Sequence, residues 1–222
     1  DPSLVIAPEV FEHHLKVLQE KGYRMVTVEE LGERLRNGQS VEKYIALSFD
    51  DGYKDNYTTA FPLLKKYNAK ATFSVVENKI GKEIYMTEAQ IKEMMAAGME
   101  IGSHTISHNP LAEIDPKYLE WEIGVSKYAL EKRFPGLVVT TMAYPNGSYN
   151  DRIIADLKKY GYKQALTGHT GMNGHDFYKE HPMEMNRVIV IDDGKGPVYF
   201  EGLLKRGYRR SLFLEYGIDL GE

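Results

Sequence analysis

Hydrophobic positions along the chain first recur with helical spacing and then settle into an alternation of strand-like and helix-like stretches. Within residues 8–37, Phe11, Leu15 and Leu18 share one helical face, and Gly22 ends that helix. The run Thr27-Val28-Glu29-Glu30-Leu31 predicts a second helix start, with Thr27 as cap and Glu30 three residues on, and Gly38-Gln39 closes this N-terminal pair. From Tyr44 onward, strand-like runs at 44–49, 70–76, 99–103, 138–143, 163–167 and 187–192 alternate with helical patterns near 56–67, 88–97, 116–134 and 150–160. Gly98 and Gly161 stand where helix C-caps belong, each followed within two residues by a strand. Alternating β and α units predict a parallel sheet covered by helices. Their number favours an α/β fold built as a distorted or incomplete (β/α) barrel of about seven parallel strands over an open sheet. No internal repeat or low-complexity linker interrupts the pattern. The expectation is one domain over 1–222: an N-terminal helical segment at 1–43, a core at 44–192 and a C-terminal helical segment at 193–222.

Bulk composition narrows the function classes. At 222 residues the chain is long enough for a substantial core, and 42% hydrophobic with 27% charged residues is ordinary for a soluble domain. A net charge of -4 argues against a nucleic-acid partner, which calls for a basic surface. No run of about 18 apolar residues predicts a membrane span. Cysteine is absent, so no disulfide staples the fold and no thiolate serves as ligand or nucleophile. The start at Asp1-Pro2-Ser3, with neither methionine nor a signal-like apolar stretch, reads as a trimmed N-terminus from which any targeting or anchor segment has been removed. Sixteen tyrosines and one tryptophan offer rings of the kind that line sugar-binding clefts, although core and surface tyrosines account for them equally well.

Two short motifs carry the candidate chemistry. Ser48-Phe49-Asp50-Asp51-Gly52 sets two carboxylates at the end of the apolar run from Tyr44, and Ser103-His104-Thr105-Ile106-Ser107-His108 sets two imidazoles after Met99-Glu100-Ile101-Gly102. One carboxylate and two imidazoles hold a divalent ion with an open position, and the second carboxylate is then free to take a proton from water. Each motif has a plainer reading, since His-x-x-x-His also occurs as a surface pair and Asp-Asp-Gly as a turn. Position favours the chemistry: Asp50, Asp51, His104 and the Tyr144-Pro145-Asn146-Gly147 turn all fall just past strand ends, where parallel barrels keep their active sites. Adjacent residues in extended chain point opposite ways, so one carboxylate is expected to face the metal and the other the water. His13 and His14 read as surface or packing residues. His169, His175 and His181 lie in a loop-like stretch at 168–182, where any of them could act as proton donor and no spacing selects one.

Together these motifs resemble the polysaccharide deacetylases of carbohydrate esterase family 4, the NodB homology domain. The family's first motif, Thr-Phe-Asp-Asp-Gly, appears as Ser48 to Gly52, and its second, His-Ser/Thr-x-x-His, as His104 to His108. The segment Asn56 to Val76 is similar to the one that follows the first motif, and the resemblance runs from about Tyr44 to Asp192. It implies a NodB-like barrel in which Asp51, His104 and His108 bind a divalent metal, usually Zn2+, with Co2+ or Ni2+ as alternatives. It also implies Asp50 as general base and a backbone N–H for the developing oxyanion. The third motif departs from Arg-Pro-Pro-Tyr-Gly: Ala143-Tyr144-Pro145-Asn146-Gly147 lacks the arginine, and Asn146 stands where the family has tyrosine. A backbone donor survives a side-chain change, so Asn146 keeps the oxyanion role on this reading, and Arg187 is the expected substitute for the lost guanidinium, with a surface ion pair as its plainer role. The fourth motif, Asp-x-x-Asp-Trp, is missing, with the single tryptophan, Trp121, inside the 116–134 helix; the fifth, Leu-x-His, is not evident.

A Tyr-Pro-x-Gly third motif without arginine is similar to the exopolysaccharide subgroup acting on poly-N-acetylglucosamine. The resemblance therefore implies a metal-dependent hydrolase removing acetyl groups from N-acetylglucosamine polymers such as exopolysaccharide, peptidoglycan or chitin-like chains, extracellular or at the cell surface; a monomer is expected. Acetylxylan O-deacetylation is the rival within the same chemistry. A carbohydrate-binding homologue with weakened catalysis is the rival from another class, and hydrolysis of a small cyclic amide is a more distant option.

Overall fold

The computed structural model describes residues 6–190 together with 200 and 202. Two helices and a short strand open the chain: α1 (Pro8–Glu20), β1 (Arg24–Val26) and α2 (Val28–Arg36). There follow β2 (Tyr44–Ala46), β3 (Ser48–Phe49), α3 (Phe61–Lys66), β4 (Thr72–Val75), α4 (Glu88–Ala96) and β5 (Glu100–Ser103). The remainder comprises α5 (Ser126–Arg133), β6 (Thr141–Ala143), α6 (Asp151–Lys159), β7 (Gln164–Thr170), α7 (His175–Glu180) and β8 (Met185–Arg187). Strands β3 to β8 form one parallel sheet in sequence order, and β1 and β2 form a parallel pair. The two pieces meet at Leu47, whose N–H donates to the Val26 carbonyl and whose carbonyl accepts from the Thr72 N–H. This is the incomplete (β/α) barrel expected from the alternation of elements.

Local chemistry explains most boundaries. Thr27 accepts from the Glu30 N–H and starts α2 as expected. Gly98 follows α4 with φ 82°, where its N–H bonds Met95 and that of Met99 bonds Met94, the paired bonds of a Schellman stop. Gly161 ends α6 in the same way.

Several expected elements are redrawn. The run 44–49 is two strands, because the chain passes from one sheet piece to the other at Leu47. The helix expected over 116–134 runs without a break but changes its winding, from a 3-10 turn at Pro116–Tyr118 through a π-helical turn at Trp121–Val125 into α5. The stretch 168–182 is not a loop, since β7 runs on to Thr170 and α7 follows. Strand β1 is three residues long, too short to register as a period. The last strand lies at Met185–Arg187, earlier than the expected 187–192. The end of that expected strand and the C-terminal helical segment at 193–222 lie outside the described residues, apart from Phe200 and Gly202.

The core lies between the strands and the helices. Phe73 on β4 stacks on Phe49 at 4.9 Å between ring centroids, and Phe11 of α1 meets Phe49 edge-on at 5.6 Å. At the N-terminal ends of the strands, α2 crosses the sheet over a polar network. The Glu100 carboxylate accepts from the Glu29 N–H at 2.9 Å, from Thr72 Oγ1 at 2.6 Å and from Thr141 Oγ1, so it caps the start of α2 from a distance. Gln164 Nε2 donates to Thr141 Oγ1, and Arg36 in the last turn of α2 donates to Gln164 Oε1 and to the Tyr178 hydroxyl. Gly32 lets α2 settle this closely, since a Cβ there would come 2.8 Å from the Tyr178 hydroxyl. With that end closed, the opposite ends of the strands carry the candidate chemistry.

Candidate metal centre

Phe49 is the last residue of β3, and Asp50 and Asp51 follow directly. The chain does not stay extended there. Asp51 takes φ 72° and Gly52 φ 78°, and the Gly52 N–H bonds the Asp50 carbonyl. The two carboxylates therefore separate through a tight turn, not through strand alternation. Gly52 is needed in this turn, because a Cβ would lie 3.0 Å from the Val75 side chain.

The histidines leave β5 on a segment that is irregular, not helical. Thr105 and His108 both take φ 67°, which folds the chain back and brings the two rings to 4.7 Å between centroids. Asp51, Thr105, His108 and Asn146 are four of the six non-glycine residues with positive φ among those described. Such conformations cost about 1–3 kcal/mol each and persist only where the surroundings enforce them. Here the enforcement is visible. Thr105 Oγ1 accepts from the His108 N–H, and Ser103 Oγ accepts from the Thr105 N–H. The buried Glu122 carboxylate accepts from the Ile106 and Ser107 N–H groups at 3.0 Å each and from Ser107 Oγ.

The donor set fits a divalent ion. One ligand atom from each of Asp51, His104 and His108 lies within 4.8 Å of the others, and Asp51 Oδ1 is 3.2 Å from His108 Nε2 and 3.8 Å from His104 Nε2. Atoms each about 2.0–2.2 Å from zinc stand no more than roughly 4.4 Å apart, so small adjustments close the set. His104 is buried, and its Nδ1 lies 2.7 Å from the Ala143 carbonyl. That acceptor holds the proton on Nδ1 and leaves Nε2 as a lone-pair donor facing Asp51. Burial and the neighbouring His104 ring lower the His108 pKa against the pull of Asp51 and Asp50, which favours the neutral, ligating imidazole.

Asp50 is held from the far end of the sheet. Arg187 Nη1 donates to Asp50 Oδ2 at 2.8 Å, and Arg187 Nε donates to the Thr167 carbonyl at 2.8 Å. This contact joins the exits of β8 and β3, the two ends of the six-stranded sheet. Asp50 Oδ1 is buried and has no hydrogen-bond partner. Burial raises the Asp50 pKa, but the Arg187 guanidinium and then the His104 and His108 rings outweigh it and hold the carboxyl below its ordinary value. Asn146 takes φ 54° in the 3-10 turn after β6; the turn's hydrogen bonds start from Gly147 and Ser148, so the Asn146 N–H is not used in it.

The structure thus brings Asp50, Asp51, His104, His108 and Arg187 into one cluster. No contact among the described residues ties Asn146 directly to the other five. Of the remaining histidines, His169 lies near the C-terminal end of β7, 6.0 Å from the Tyr149 ring, whereas His175 bonds the Leu35 carbonyl and His181 bonds Glu184. His14 packs in the core against Phe200. Two contributors escape sequence reading. The Ala143 carbonyl carries no side-chain signature, and Glu122 looks like any other charged residue of a helix.

Comparison with known proteins follows the same lines. The family model described as polysaccharide deacetylase matches residues 37–165. YxkH of Bacillus subtilis (strain 168) is 37% identical over 175 residues, and the match covers 78% of this chain and 62% of that protein. The poly-beta-1,6-N-acetyl-D-glucosamine N-deacetylase of Staphylococcus aureus (strain MSSA476) is 26% identical over 218 residues, covering 90% of this chain and 71% of that protein. The structure of the Streptococcus pyogenes deacetylase PplD, in complex with acetate, superposes with a TM-score of 0.84 at 30% identity, covering 93% of this chain and 89% of that one. With more than half of its length matched by the family model and its fold shared with a solved deacetylase, the chain belongs to the polysaccharide deacetylase family.

Proposed function

We propose that the chain is a divalent-metal-dependent N-deacetylase that removes acetyl groups from N-acetylglucosamine-containing polysaccharide, working outside the cell or at its surface. The observation that carries this reading is the juxtaposition of two differently employed carboxylates. Asp51 faces two imidazole nitrogens, while Asp50 is held by Arg187 through one oxygen and keeps the other without a partner. The S. aureus relatives, whose name gives a poly-beta-1,6-N-acetyl-D-glucosamine substrate, support this choice of polymer. Among the described residues no helix is long and apolar enough to cross a membrane.

Asp51, His104 and His108 would hold the ion, and Zn2+ suits two imidazoles and a carboxylate, with Co2+ and Ni2+ fitting the same donors. When bound, the metal supplies Lewis acidity for the acetyl carbonyl and an acidified water. Asp50 takes the water's proton at Oδ1, the oxygen that has no hydrogen-bond partner. Arg187 orients that carboxylate through Oδ2 and keeps it ionised. The Asn146 N–H donates to the oxygen of the acetyl group as negative charge develops there, and as the water oxygen stays on the acetyl carbon the carbon–nitrogen bond breaks, the amine leaves with a proton gained at its nitrogen, and acetate is released.

The test measures acetate released from poly-N-acetylglucosamine, chitin oligomers, peptidoglycan and acetylxylan, with and without chelator. Release from one of the N-acetylglucosamine polymers, lost on chelation and restored by Zn2+, is expected. Asp50→Asn is expected to cut turnover by about 10²–10⁴-fold while the protein still binds metal. Preference for acetylxylan would replace the amide by an ester substrate, and an unaltered Asp50→Asn variant would overturn the hydrolytic role.

A further inference from the structure

The loop that carries the two histidines has a second face, and a pocket opens there. It encloses about 460 Å³, within the roughly 300–1,000 Å³ typical of small-ligand sites. Its wall includes Ser107 and Asn109 of the histidine loop, Glu77 and Asn78 beyond β4, and the rings of Tyr118 and Trp121. Both residues are 54% exposed, although large aromatic groups normally gain from being covered. Trp121 is the single tryptophan of the chain, and it begins the π-helical turn at Trp121–Val125. The next residue is Glu122, whose carboxylate is anchored to Ile106 and Ser107. The wide turn therefore sends Glu122 inward to the loop while its neighbour Trp121 stays at the rim.

We infer that this pocket is an accessory sugar subsite, which holds a hexosamine unit of the polysaccharide one or more residues away from the unit that is deacetylated. This rests on the reading of the chain as an N-acetylglucosamine polymer deacetylase. Sugar rings present apolar C–H faces with a polar edge. Tyr118 and Trp121 supply flat rings for the face, and Asn78 supplies an amide group for the hydroxyl and acetamido groups at the edge, while Asn109 Nδ2 donates to Ser107 Oγ at 2.8 Å and leaves its carbonyl oxygen as acceptor. The Asn78 side-chain amide has no partner among the described residues, whereas Glu77 is spent on Arg133 and Glu122 on the loop. A polymer is the occupant because the pocket and the metal centre lie on two faces of one short segment, His104 to Asn109. His104 and His108 of that segment belong to the centre, while Ile106, Ser107 and Asn109 line the pocket. The placement also gives the tryptophan, absent from the usual fourth motif, a different task at a different position.

Because Trp121 is the sole tryptophan, its emission reports the subsite without any turnover. The experiment titrates chelator-treated protein with β-1,6-linked and, separately, β-1,4-linked N-acetylglucosamine pentasaccharides. A saturable change in tryptophan emission with at least one of them is expected. Tyr118→Ala is expected to raise the fitted Kd about fivefold with Trp121 still present as reporter, and Asn78→Ala to raise it as well. Calorimetry on Trp121→Ala gives the same comparison without the reporter. Turnover of either pentasaccharide by the metal-loaded protein, with no emission response and with variants that bind as wild type does, overturns the subsite and leaves the proposed activity intact. No emission response to either sugar overturns it as well. A saturable response that Tyr118→Ala weakens, in a protein that releases no acetate when zinc is restored, leaves the subsite standing and removes the activity.

Discussion

Arg187 is the residue on which the arrangement of Asp50 turns. Its guanidinium makes two directed bonds at once, Nη1 to the Asp50 carboxylate and Nε to the Thr167 carbonyl, so it is fixed before it fixes anything else. Removing it leaves a half-buried carboxylate without its orienting bond and without the nearest compensating charge. Arg187→Ala is expected to lower kcat about 10²-fold, the scale of a small misplacement of a reacting group, with little change in metal affinity measured by competition with a chromophoric chelator. Arg187→Lys is expected to recover only part of the rate, because an ammonium cannot keep both bonds in the geometry of the fork. A wild-type kcat in Arg187→Ala would reduce the pair to a structural contact.

At the scale of elements, the histidine loop shows how a short irregular segment gains rigidity from a neighbouring helix. Two left-handed residues place the rings, and the Glu122 carboxylate collects the N–H groups that the fold-back leaves without backbone partners. Glu122→Gln removes the charge and trades one acceptor for a donor facing donors. It is expected to weaken metal binding about 10–100-fold while circular dichroism stays that of the wild type; unchanged affinity would mean that the loop holds its shape alone. Much of this architecture was legible beforehand. The strand and helix alternation, the cap at Thr27 and the glycine stops at Gly98 and Gly161 follow from rules that act over a few residues. The divided strand at Leu47 and the π-helical turn at Trp121–Val125 were not legible, because each answers to contacts with distant parts of the chain. The same division holds at the site. The acid pair and the imidazole pair are local motifs, whereas the Ala143 carbonyl and the Glu122 carboxylate act from 39 and 15 to 16 residues away.

The whole molecule separates its two ends by chemistry. The floor under α2 is a closed polar network around Glu100, and burial raises the pKa of that carboxyl despite its three hydrogen bonds. A folded-state pKa above the unfolded value means that the native protein binds the proton more tightly. This stabilising contribution is full below the unfolded value near 4.5 and is lost as the pH rises through the folded pKa. Glu100→Gln lacks that dependence, so its stability relative to wild type is expected to improve from pH 4 to pH 7 in urea melts, and a difference independent of pH would count against the argument. The other end is joined differently. Between the outermost strands of the sheet, the contact described at the site is one charged pair, not a ladder of amide bonds. Such a seam is where a curved sheet breathes first, since a charged pair without a ladder of amide bonds opens at lower cost than a cooperative set. Catalysis should therefore fade at urea concentrations that leave the helical signal whole, and the enzyme would lose its function by parting along one edge well before it loses its shape.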